Sequence, residues 1–377
     1  MGIYIHVPFC RSKCYYCDFC SKTRVAEEQI DRYTRALSAE MEFIAQKIKE
    51  SGSELPLADT VYFGGGTPTL LPVEGFESIL SKVADTFGIS DGAEITAETN
   101  PKTADYEKLC DIRTLGVNRL SIGMQSVHDG ELRALGRIHT FADFCTTYND
   151  ARRAGFDNIS ADLMYGIPEQ TAESFAKSVR TVADMSPEHI SSYCLSIEEG
   201  TPFSKRRDKL RLPDEDAVAD MYANMTEILE KRGYEKYEIS NFAHKGRESK
   251  HNIKYWRLED YLGFGPAAHG CFGSTRYGHT RDIEAYINGE NTYCEINKID
   301  HRERMNEYVM LGMRLSEGIR ISDFEARFGQ SFEESFGHKI RKYVPEYVTF
   351  HGDRCAFTPR GMFVSNFILS DVLDFEN

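Results

Sequence analysis

Short apolar runs rich in β-branched residues alternate with longer amphipathic stretches over the first two-thirds of this chain. In the stretch 27–50 apolar residues recur every three to four positions, which predicts a helix, and 76–88 shows the same spacing. A strand followed by a helix, repeated six times, is typical of parallel β/α units in a doubly wound sheet or a barrel. The predicted strands are 3–6, 60–63, 94–98, 119–122, 159–162 and 189–195.

The pattern changes towards the end of the chain. After a predicted helix at 214–233 and a strand with a loop at 234–243, the residues 247–275 are rich in aromatics, Gly and His and show no clean period. From about residue 300, three helical patterns, two short strands and a last helix at 359–375 predict a small winged-helix-like domain. We therefore divide the chain into a β/α domain, an extension of it and a C-terminal domain, at 1–210, 211–300 and 301–377.

The chain of 377 residues has an ordinary globular composition and an acidic charge balance. Its apolar runs are too short to span a membrane, and its N-terminus lacks the features of an export signal, so we expect the cytoplasm. The formal net charge of −14 argues against nucleic acid as a partner, even for a winged-helix-like domain. Binding of phosphates needs a basic surface.

Chemistry-bearing residues follow directly after the predicted strands. In parallel β/α proteins the carboxyl ends of the strands meet at one face, where sites are built. Four of the ten cysteines lie between residues 10 and 20, after the first strand. In a protein without an export signal, such a cluster indicates a metal rather than disulfides. The spacing Cys10-x3-Cys14-x2-Cys17 suits zinc, with Cys20 as a fourth ligand, or an iron–sulfur cluster that keeps one iron open.

This spacing, with the aromatic Tyr16 before the third cysteine, resembles the signature of the radical-SAM superfamily. The resemblance implies a 4Fe-4S cluster on Cys10, Cys14 and Cys17, whose open iron holds the amino and carboxylate groups of S-adenosylmethionine. It also implies that one electron from the cluster cleaves the sulfonium to methionine and a 5′-deoxyadenosyl radical. Cys20 is not counted as a ligand.

The resemblance further implies a pocket for S-adenosylmethionine. The glycine-rich turn at 64–69 lets the backbone approach a ligand closely. Gln125 and Asp162 suit the ribose hydroxyls, and Arg137 suits a carboxylate. Taken singly, Tyr4 also fits a core aromatic, and each polar residue also fits a cap or a solvated group. The implied pocket residues are Tyr4, Tyr16, Gly65, Gly66, Thr67, Glu98, Gln125, Arg137 and Asp162. No catalytic residue is assigned.

The segments YIHVPFC, GGGTPT, ETNP, RLSIGMQS, LGRIH and DLMYGIPEQT narrow the resemblance. Their order is similar to oxygen-independent coproporphyrinogen III oxidase (HemN) and its relatives, the HemW-type heme chaperones. The implied fold is an α/β, open (β/α)6 partial TIM barrel with a C-terminal helical, winged-helix-like domain. The oxidases carry a long N-terminal extension, whereas this chain starts almost at its first strand. They also carry a further cysteine two residues after the third cysteine of the motif, and this chain has Phe19 at that position. Both features favour the chaperone branch.

The segment 251–256 reads HNxxYW, a heme-associated motif of the chaperone branch. Its residues suit heme, because imidazole binds iron and aromatic rings offer flat faces to a porphyrin. From chemistry alone, a loop that packs Tyr255 and Trp256 into the core and leaves His251 on the surface fits as well. The predicted heme residues are His251, Tyr255 and Trp256, with Arg247 and Lys250 for propionates and His269 and Cys271 as weaker ligand candidates.

The resemblance therefore predicts a cluster-bearing protein that binds heme as cargo and delivers it to hemoproteins. The alternative is the oxidase itself, which decarboxylates two propionates of coproporphyrinogen III to give protoporphyrinogen IX in porphyrin biosynthesis; another radical reaction on a tetrapyrrole, such as heme ring opening, is a third interpretation. We expect a chaperone without the oxidase activity. The implied partners are apo-hemoproteins, heme donors such as bacterioferritin or membrane respiratory enzymes, reduced flavodoxin or ferredoxin, and a second copy of the chain.

Overall fold

Six parallel strands form the centre of one sheet in the computed structural model, which describes residues 1–290 and 292–373. They are β1 (Gly2–Val7), β2 (Ala58–Gly65), β3 (Ile89–Thr99), β4 (Arg119–Gln125), β5 (Ile159–Tyr165) and β6 (His189–Cys194). They lie side by side in chain order. Each predicted strand falls within an observed one, except that the sixth ends one residue before its predicted end. The six-stranded β/α prediction therefore agrees with the structure.

Helices connect the six strands and cover the outer face of the sheet. They are α1 (Glu27–Glu50), α2 (Val73–Phe87), α3 (Tyr106–Thr114), α4 (Asp129–Ala134), α5 (Phe141–Arg153) and α6 (Ala172–Asp184). The stripe of α1 that includes Leu37 and Met41 is buried in the core. Thr140 and Thr171 fix the starts of α5 and α6, because each hydroxyl accepts a backbone N–H of the first turn. In the described part of the chain no helix has the length and apolarity that a bilayer crossing requires.

Further elements extend the sheet on both sides. They are α7 (Glu215–Glu230), β7 (Glu235–Lys236), β8 (Asn241–Ala243), α8 (Lys250–Trp256), β9 (Tyr261–Phe264), β10 (His269–Phe272), β11 (Thr275–His279), α9 (Ile283–Ile287) and β12 (Tyr293–Lys298). The sheet has the order β12-β11-β10-β9-β1-β2-β3-β4-β5-β6-β8-β7, with β9 parallel to β1 and the other added strands antiparallel to their neighbours. Its two edges do not pair, so the barrel is open.

The inward face of the six parallel strands is polar. On β3, Ile95 and Ala97 belong to the apolar core, whereas Glu94 and Glu98 alternate with them and point to the other face. The Glu98 carboxylate accepts a hydrogen bond from the Tyr62 hydroxyl of the neighbouring strand at 2.9 Å. Closed barrels of parallel strands usually fill their interior with Val, Ile and Leu. A polar interior therefore marks this one as a binding site rather than a packed core.

The C-terminal part has a hydrophobic cluster of its own, formed between Met305 and Leu373. Its elements are α10 (His301–Gly312), β13 (Ile319–Arg320), α11 (Ile321–Phe328), the helical turns Glu333–Gly337, His338–Ile340 and Arg341–Tyr343, β14 (Val348–His351), β15 (Arg354–Phe357), α12 (Pro359–Phe363) and α13 (Ser365–Val372). The three strands pair in the order β13-β15-β14, so the expected wing has one strand more than predicted. The final helix predicted at 359–375 is divided in two at Val364. Residues 374–377 of the predicted C-terminal domain lie outside the described residues. The domain boundaries stay a prediction.

Candidate functional site

A cavity of about 400 Å³ opens at the carboxyl ends of the parallel strands. The half-buried thiols of Cys10, Cys14 and Cys17 belong to its wall, and so do side chains from β2 to β6. The structure therefore brings the three cysteines together with most of the predicted cofactor residues, which are Tyr16, Gly65, Gly66, Thr67, Glu98, Gln125, Arg137 and Asp162. Tyr4 lies beneath this layer, where its hydroxyl is 3.1 Å from the His6 Nδ1 atom.

The loop that carries the three cysteines is held from two sides. The Tyr15 backbone N–H donates to the Leu135 carbonyl after α4, and the Tyr15 carbonyl accepts from the Phe203 N–H, each at 3.0 Å. At its base, the His6 Nε2 atom is 2.8 Å from the Cys20 carbonyl oxygen. Burial lowers the pKa of His6 to about 4, so a neutral ring bridges Cys20 and Tyr4 at pH 7. These contacts hold the cysteine loop against the end of α4, the segment after β6 and β1.

Cys20 faces away from the three other cysteines of the loop. Its side chain is 7% exposed and does not line the cavity, and its thiol donates to the Arg281 carbonyl at 3.3 Å. Among residues 1–290 and 292–373, no three His, Cys, Asp or Glu side chains are placed to hold a single metal ion. The geometry gives Cys20 a structural contact and does not bring it to the site.

The glycine turn after β2 is pressed against the cysteine loop. Gly66 donates its N–H to the Val7 carbonyl at 2.8 Å, and a Cβ at Gly66 would lie 2.5 Å from the Phe9 carbonyl oxygen. Gly65 has a φ of 103°, a conformation that side chains disfavour. The next residue, Thr67, places its hydroxyl 3.6 Å from the Cys10 sulfur. The turn therefore forms a backbone wall directly beside the thiols.

Arg137 is half-buried in the cavity wall and links three parts of the site. One guanidinium nitrogen is 3.6 Å from the Cys14 sulfur, and the other donates to the Gly123 carbonyl at 2.6 Å and to the Asn100 side-chain oxygen at 2.5 Å. The Asn100 amide in turn donates to the Thr67 hydroxyl at 2.9 Å. Arg137 thus places a fixed positive charge beside the Cys14 sulfur. Sequence reasoning missed Asn100, although it directly follows the predicted strand end in ETNP.

Two carboxylates lie deeper in the cavity. Glu98 accepts from the Tyr62 hydroxyl at 2.9 Å and from the Gly65 N–H at 3.2 Å, and burial, with the nearby Asp162 charge, raises its pKa to about 7. Asp162 accepts from Ser121 at 2.9 Å, and burial raises its pKa as well. Gln125 ends β4 with a φ of 71°, which turns the chain at the cavity rim. These groups suit a ligand with hydroxyl and amino donors.

Arg119 at the floor of the cavity is a second residue that sequence reasoning missed as a site residue. Its side chain is 1% exposed, and its Nε atom has no hydrogen-bond partner among the described residues. Glu94 and Asp162 lie close enough to raise its pKa, although burial opposes this. An arginine at the start of an apolar strand was the available signal, since buried arginines need an electrostatic reason.

The predicted heme segment forms α8 at the floor of the barrel, away from the cysteines. Within it, His251 is 1% exposed, with its Nδ1 atom 2.7 Å from the Thr60 hydroxyl and its Nε2 atom 2.8 Å from the Tyr255 hydroxyl. Burial lowers the pKa of His251 to about 3, so the ring is neutral. Its ring stacks on Tyr62 with centroids 5.2 Å apart. The alternative expectation of a surface-exposed His251 was therefore wrong, because long-range partners enclose it.

Apart from Tyr255, the other predicted heme residues are not placed around His251. Tyr255 and Trp256 are half-buried, and the Arg314 guanidinium lies 5.9 Å from the Trp256 ring centre. His269 is exposed on β10, and Cys271 is buried there beside Arg304. Of the two predicted propionate partners, Arg247 pairs with Asp157 at 3.4 Å, while Lys250 is exposed.

Comparisons with known proteins were made over the whole chain. The family model described as Radical SAM superfamily matches residues 4–182, and the one described as HemN C-terminal domain matches residues 299–364. Curated proteins named "Heme chaperone HemW" are 34% identical in Lactococcus lactis, over 98% of this chain and 97% of the relative, and 35% identical in Bacillus subtilis, over 96% of each. The chain belongs to the HemW family of radical-SAM proteins.

A solved structure agrees with the fold expected for the HemW family. Coproporphyrinogen III oxidase (HemN) from Escherichia coli superposes with a TM-score of 0.85, covering 100% of this chain and 90% of that one at 22% identity. The predicted open radical-SAM partial barrel with a HemN-type C-terminal domain is confirmed. At this identity the likeness shows the fold alone.

The residues present fit the cofactors of the radical-SAM superfamily, which are a 4Fe-4S cluster and S-adenosylmethionine. Three thiols face one cavity, Arg137 supplies a positive charge beside Cys14, and a glycine wall leaves room next to Cys10. The role of each side chain, as a cluster ligand for Cys10, Cys14 and Cys17 and as a cofactor contact for the pocket residues, stays a prediction.

The raised pKa of Glu98 makes the stability of the protein depend on pH. In the unfolded chain this glutamate loses its proton near pH 4.5, whereas the folded protein keeps it until about pH 7, so its contribution to stability falls between these values and levels off above them. Because Glu98 lines an open cavity, we expect a loss of about 2 kcal/mol. The buried His6 and His251 act in the opposite direction, because their pKa values are lowered, but they do so in the wild type and in Glu98→Gln alike. Denaturant titrations of the ligand-free proteins at pH 5 and pH 8 are therefore expected to differ by this amount, with the less favourable change in the wild type. An equal change in both proteins would contradict the assignment.

Proposed function

We propose that this protein holds a 4Fe-4S cluster on Cys10, Cys14 and Cys17, binds S-adenosylmethionine beside it, and carries heme to hemoproteins. The observation that carries the proposal is the match over nearly the whole chain to relatives named heme chaperones. When bound, the cluster and S-adenosylmethionine supply one-electron chemistry at the sulfonium. The chain's own residues bind and orient them.

The geometry supports separate roles for the pocket residues. Gly65 and Gly66 line the cavity without side chains, so their backbone can approach an amino group closely, and Arg137 can pair with a carboxylate next to Cys14. Asp162 and Gln125 lie further along the same wall and accept from hydroxyls. The remaining proposed pocket residues are Tyr4, Tyr16, Thr67 and Glu98.

Heme binding through His251 requires a local change in α8. Both ring nitrogens of His251 are engaged, one with Thr60 and one with Tyr255. Iron needs a lone pair on one of them, and the low pKa of His251 means that no proton has to leave first. The Tyr255 hydroxyl is half-buried at the edge of α8, so its hydrogen bond is the one we propose to break. Tyr255 and Trp256 then lie beside the porphyrin.

A heme titration tests the carrier function. We expect a saturable Soret band in the wild-type protein and its loss in His251→Ala. His351→Ala is the control, because this histidine is exposed on β14 and is not among the predicted heme residues, so this variant is expected to leave the band unchanged. A band that survives His251→Ala with wild-type affinity would overturn the assignment of His251.

The oxidase is the second candidate function. The match of residues 299–364 to the HemN C-terminal domain favours it. Against it, the position two residues after Cys17 is Phe19, which is 63% exposed, and the nearby Cys20 thiol is turned to Arg281. Incubating the anaerobic, reduced protein with coproporphyrinogen III distinguishes the two functions. Stoichiometric protoporphyrinogen would replace the carrier proposal, and unchanged substrate together with heme binding would support it.

The partners proposed for this function are apo-hemoproteins as acceptors, heme donors, a reduced flavodoxin or ferredoxin, and a second copy of the chain. A location in the cytoplasm is part of the same proposal. Size-exclusion chromatography with and without heme tests the dimer directly.

A further inference from the structure

A strongly basic segment stands out in this acidic protein. Residues 204–211 contain five Lys or Arg and one acid, Asp208, whereas the chain as a whole carries a formal net charge of −14. The segment is a short helical turn after β6 followed by an extended stretch. All five basic side chains are exposed; they are Lys205, Arg206, Arg207, Lys209 and Arg211.

The cations of this segment are not neutralised by the protein itself. Among residues 1–290 and 292–373, none of the five forms a salt bridge, and the Arg206 Nε atom donates only to the Pro202 carbonyl, at 3.4 Å. Five neighbouring like charges repel one another and destabilise the local structure. An exposed basic turn is most often simply solvated, so its position on the molecule has to decide whether it does more.

The basic segment lies directly against the cysteine loop. Its preceding residue, Phe203, donates its N–H to the Tyr15 carbonyl at 3.0 Å, and the Arg206 guanidinium lies 5.0 Å from the Tyr15 ring centre. Tyr15 stands between Cys14 and Cys17 in the chain, and it is 39% exposed. The basic turn is therefore connected to the proposed cluster ligands through a single hydrogen bond, from Phe203 to Tyr15, and Tyr15 is the residue next to Cys14.

Exposed aromatic and charged side chains of the cysteine loop lie at the mouth of the cavity. Phe19 is 63% exposed there, Arg11 and Lys13 add two exposed cations, and the exposed Asp18 is paired with Arg281. We call the surface formed by Arg11, Lys13, Tyr15, Phe19, Lys205 and Arg207 the loop face. Exposed aromatic rings with a charged border are typical of protein docking sites.

We propose that the loop face docks a small acidic electron-transfer protein. The inference rests on the proposed function, because a cluster on Cys10, Cys14 and Cys17 needs one electron from outside the chain. The step transfers one electron from the reduced flavin or iron–sulfur centre of the partner to the cluster behind Tyr15, and no bond forms or breaks. The rest of the surface, being acidic, repels such a partner, so the basic patch orients it towards the cluster.

The aromatic residues decide between an acidic protein and an anionic membrane. Electron transfer needs close approach of two centres, and Tyr15 and Phe19 belong to the loop that carries the half-buried thiols. A lipid surface would meet the same charges but supplies no electron. Charge complementarity then gives a fast, salt-sensitive encounter of the kind that weak redox complexes use.

Charge reversal tests the loop face. The test variant is Lys205→Glu/Arg207→Glu, and the control is Lys49→Glu/Lys177→Glu, whose exposed lysines lie on α1 and α6 and lower the net charge equally. Titration of the cluster-loaded protein with a purified acidic flavodoxin is expected to show about tenfold weaker binding for the test variant and unchanged binding for the control. Wild-type binding is expected to weaken with added salt.

Two further measurements separate the docking proposal from the proposed function. Reduction of the cluster by photoreduced 5-deazariboflavin, a small uncharged molecule, is expected to proceed equally in all three proteins, while reduction by the flavodoxin slows only in the test variant. Equal flavodoxin binding by test and control variants, or tighter wild-type binding to vesicles of phosphatidylcholine with one-fifth phosphatidylserine, would overturn the proposal. If all preparations lacked iron and sulfide, the proposed function itself would be wrong.

Discussion

Replacing Cys14 with alanine is expected to leave the anaerobically purified protein without a 4Fe-4S cluster. Cys14 is half-buried in the cavity wall, and the Arg137 guanidinium lies 3.6 Å from its sulfur, so its thiol is held within the proposed site. Each thiolate ligates one iron, so with two thiolates left, two irons of the cube have no protein ligand, and we expect the cluster not to be retained. Iron and acid-labile sulfide per chain, together with the visible absorption of the cluster, measure the loss. S-adenosylmethionine binding is expected to fall with it.

Cys20→Ala is the matched control for that experiment. It removes a thiol from the same loop, but this thiol donates to the Arg281 carbonyl and does not reach the cavity. We expect full iron content with a loss of stability of about 1 kcal/mol, which is the contribution of a typical buried hydrogen bond. Wild-type iron content in Cys14→Ala, or its loss in Cys20→Ala, would contradict the ligand assignment. One zinc and no sulfide in the wild type would remove the cluster altogether.

Local patterns were sufficient to predict the β/α part of the fold. The apolar spacing at 27–50 gave α1 with its observed bounds, because its stripe faces a sheet along its whole length. The start of β3 at Ile89 was missed, since the residues before Glu94 include Asp91 and Gly92, which are poor strand formers. They join the strand through pairing of Ile89 with Ala58, a contact that is remote in sequence.

The region around α8 could not be predicted either, because the contacts that hold it also come from residues far away in the sequence. Lys250–Trp256 has no helical spacing of apolar residues, and what holds it is the Glu94 carboxylate, which accepts the N–H groups of Lys250 and His251, both at 3.1 Å. The Thr60 hydroxyl that fixes His251 is 191 positions away in the chain. Sequence alone identified these residue types as suitable for heme, but whether their polar atoms were free depended on tertiary contacts.

The site at the cysteine loop was easier to predict, because its residues follow the ends of parallel strands. Glu98 and Asp162 were expected at the carboxyl face and lie there. Tyr62 was not expected to matter, yet its ring stacks on His251 and its hydroxyl donates to Glu98. One side chain therefore contacts both the proposed heme segment and the proposed cofactor pocket. Movement of α8 on heme binding would be felt at Glu98 through this contact.

Substituting Gly66 with alanine is expected to disturb the fold and the cluster together. The added Cβ would lie 2.5 Å from the Phe9 carbonyl oxygen and 2.9 Å from the Phe9 nitrogen, both backbone atoms that cannot turn aside. Overpacking of this kind costs roughly 1–3 kcal/mol. Relief requires the backbone at Phe9 to shift, and Cys10 is the next residue. We therefore expect a lower midpoint of thermal unfolding in the apoprotein and reduced iron content after cluster reconstitution.

Gly130→Ala separates this steric effect from the general effect of removing a glycine. Gly130 lies in α4, and the nearest atom to its added Cβ is a side-chain nitrogen of Arg133 at 4.0 Å. Alanine in a helix is favoured over glycine by up to about 1 kcal/mol, so this variant is expected to unfold at or slightly above the wild-type temperature and to keep its iron. If Gly66→Ala behaved like Gly130→Ala, the glycine turn would not press on the cysteine loop. The backbone wall beside the thiols would then be an incorrect account of how this site is built.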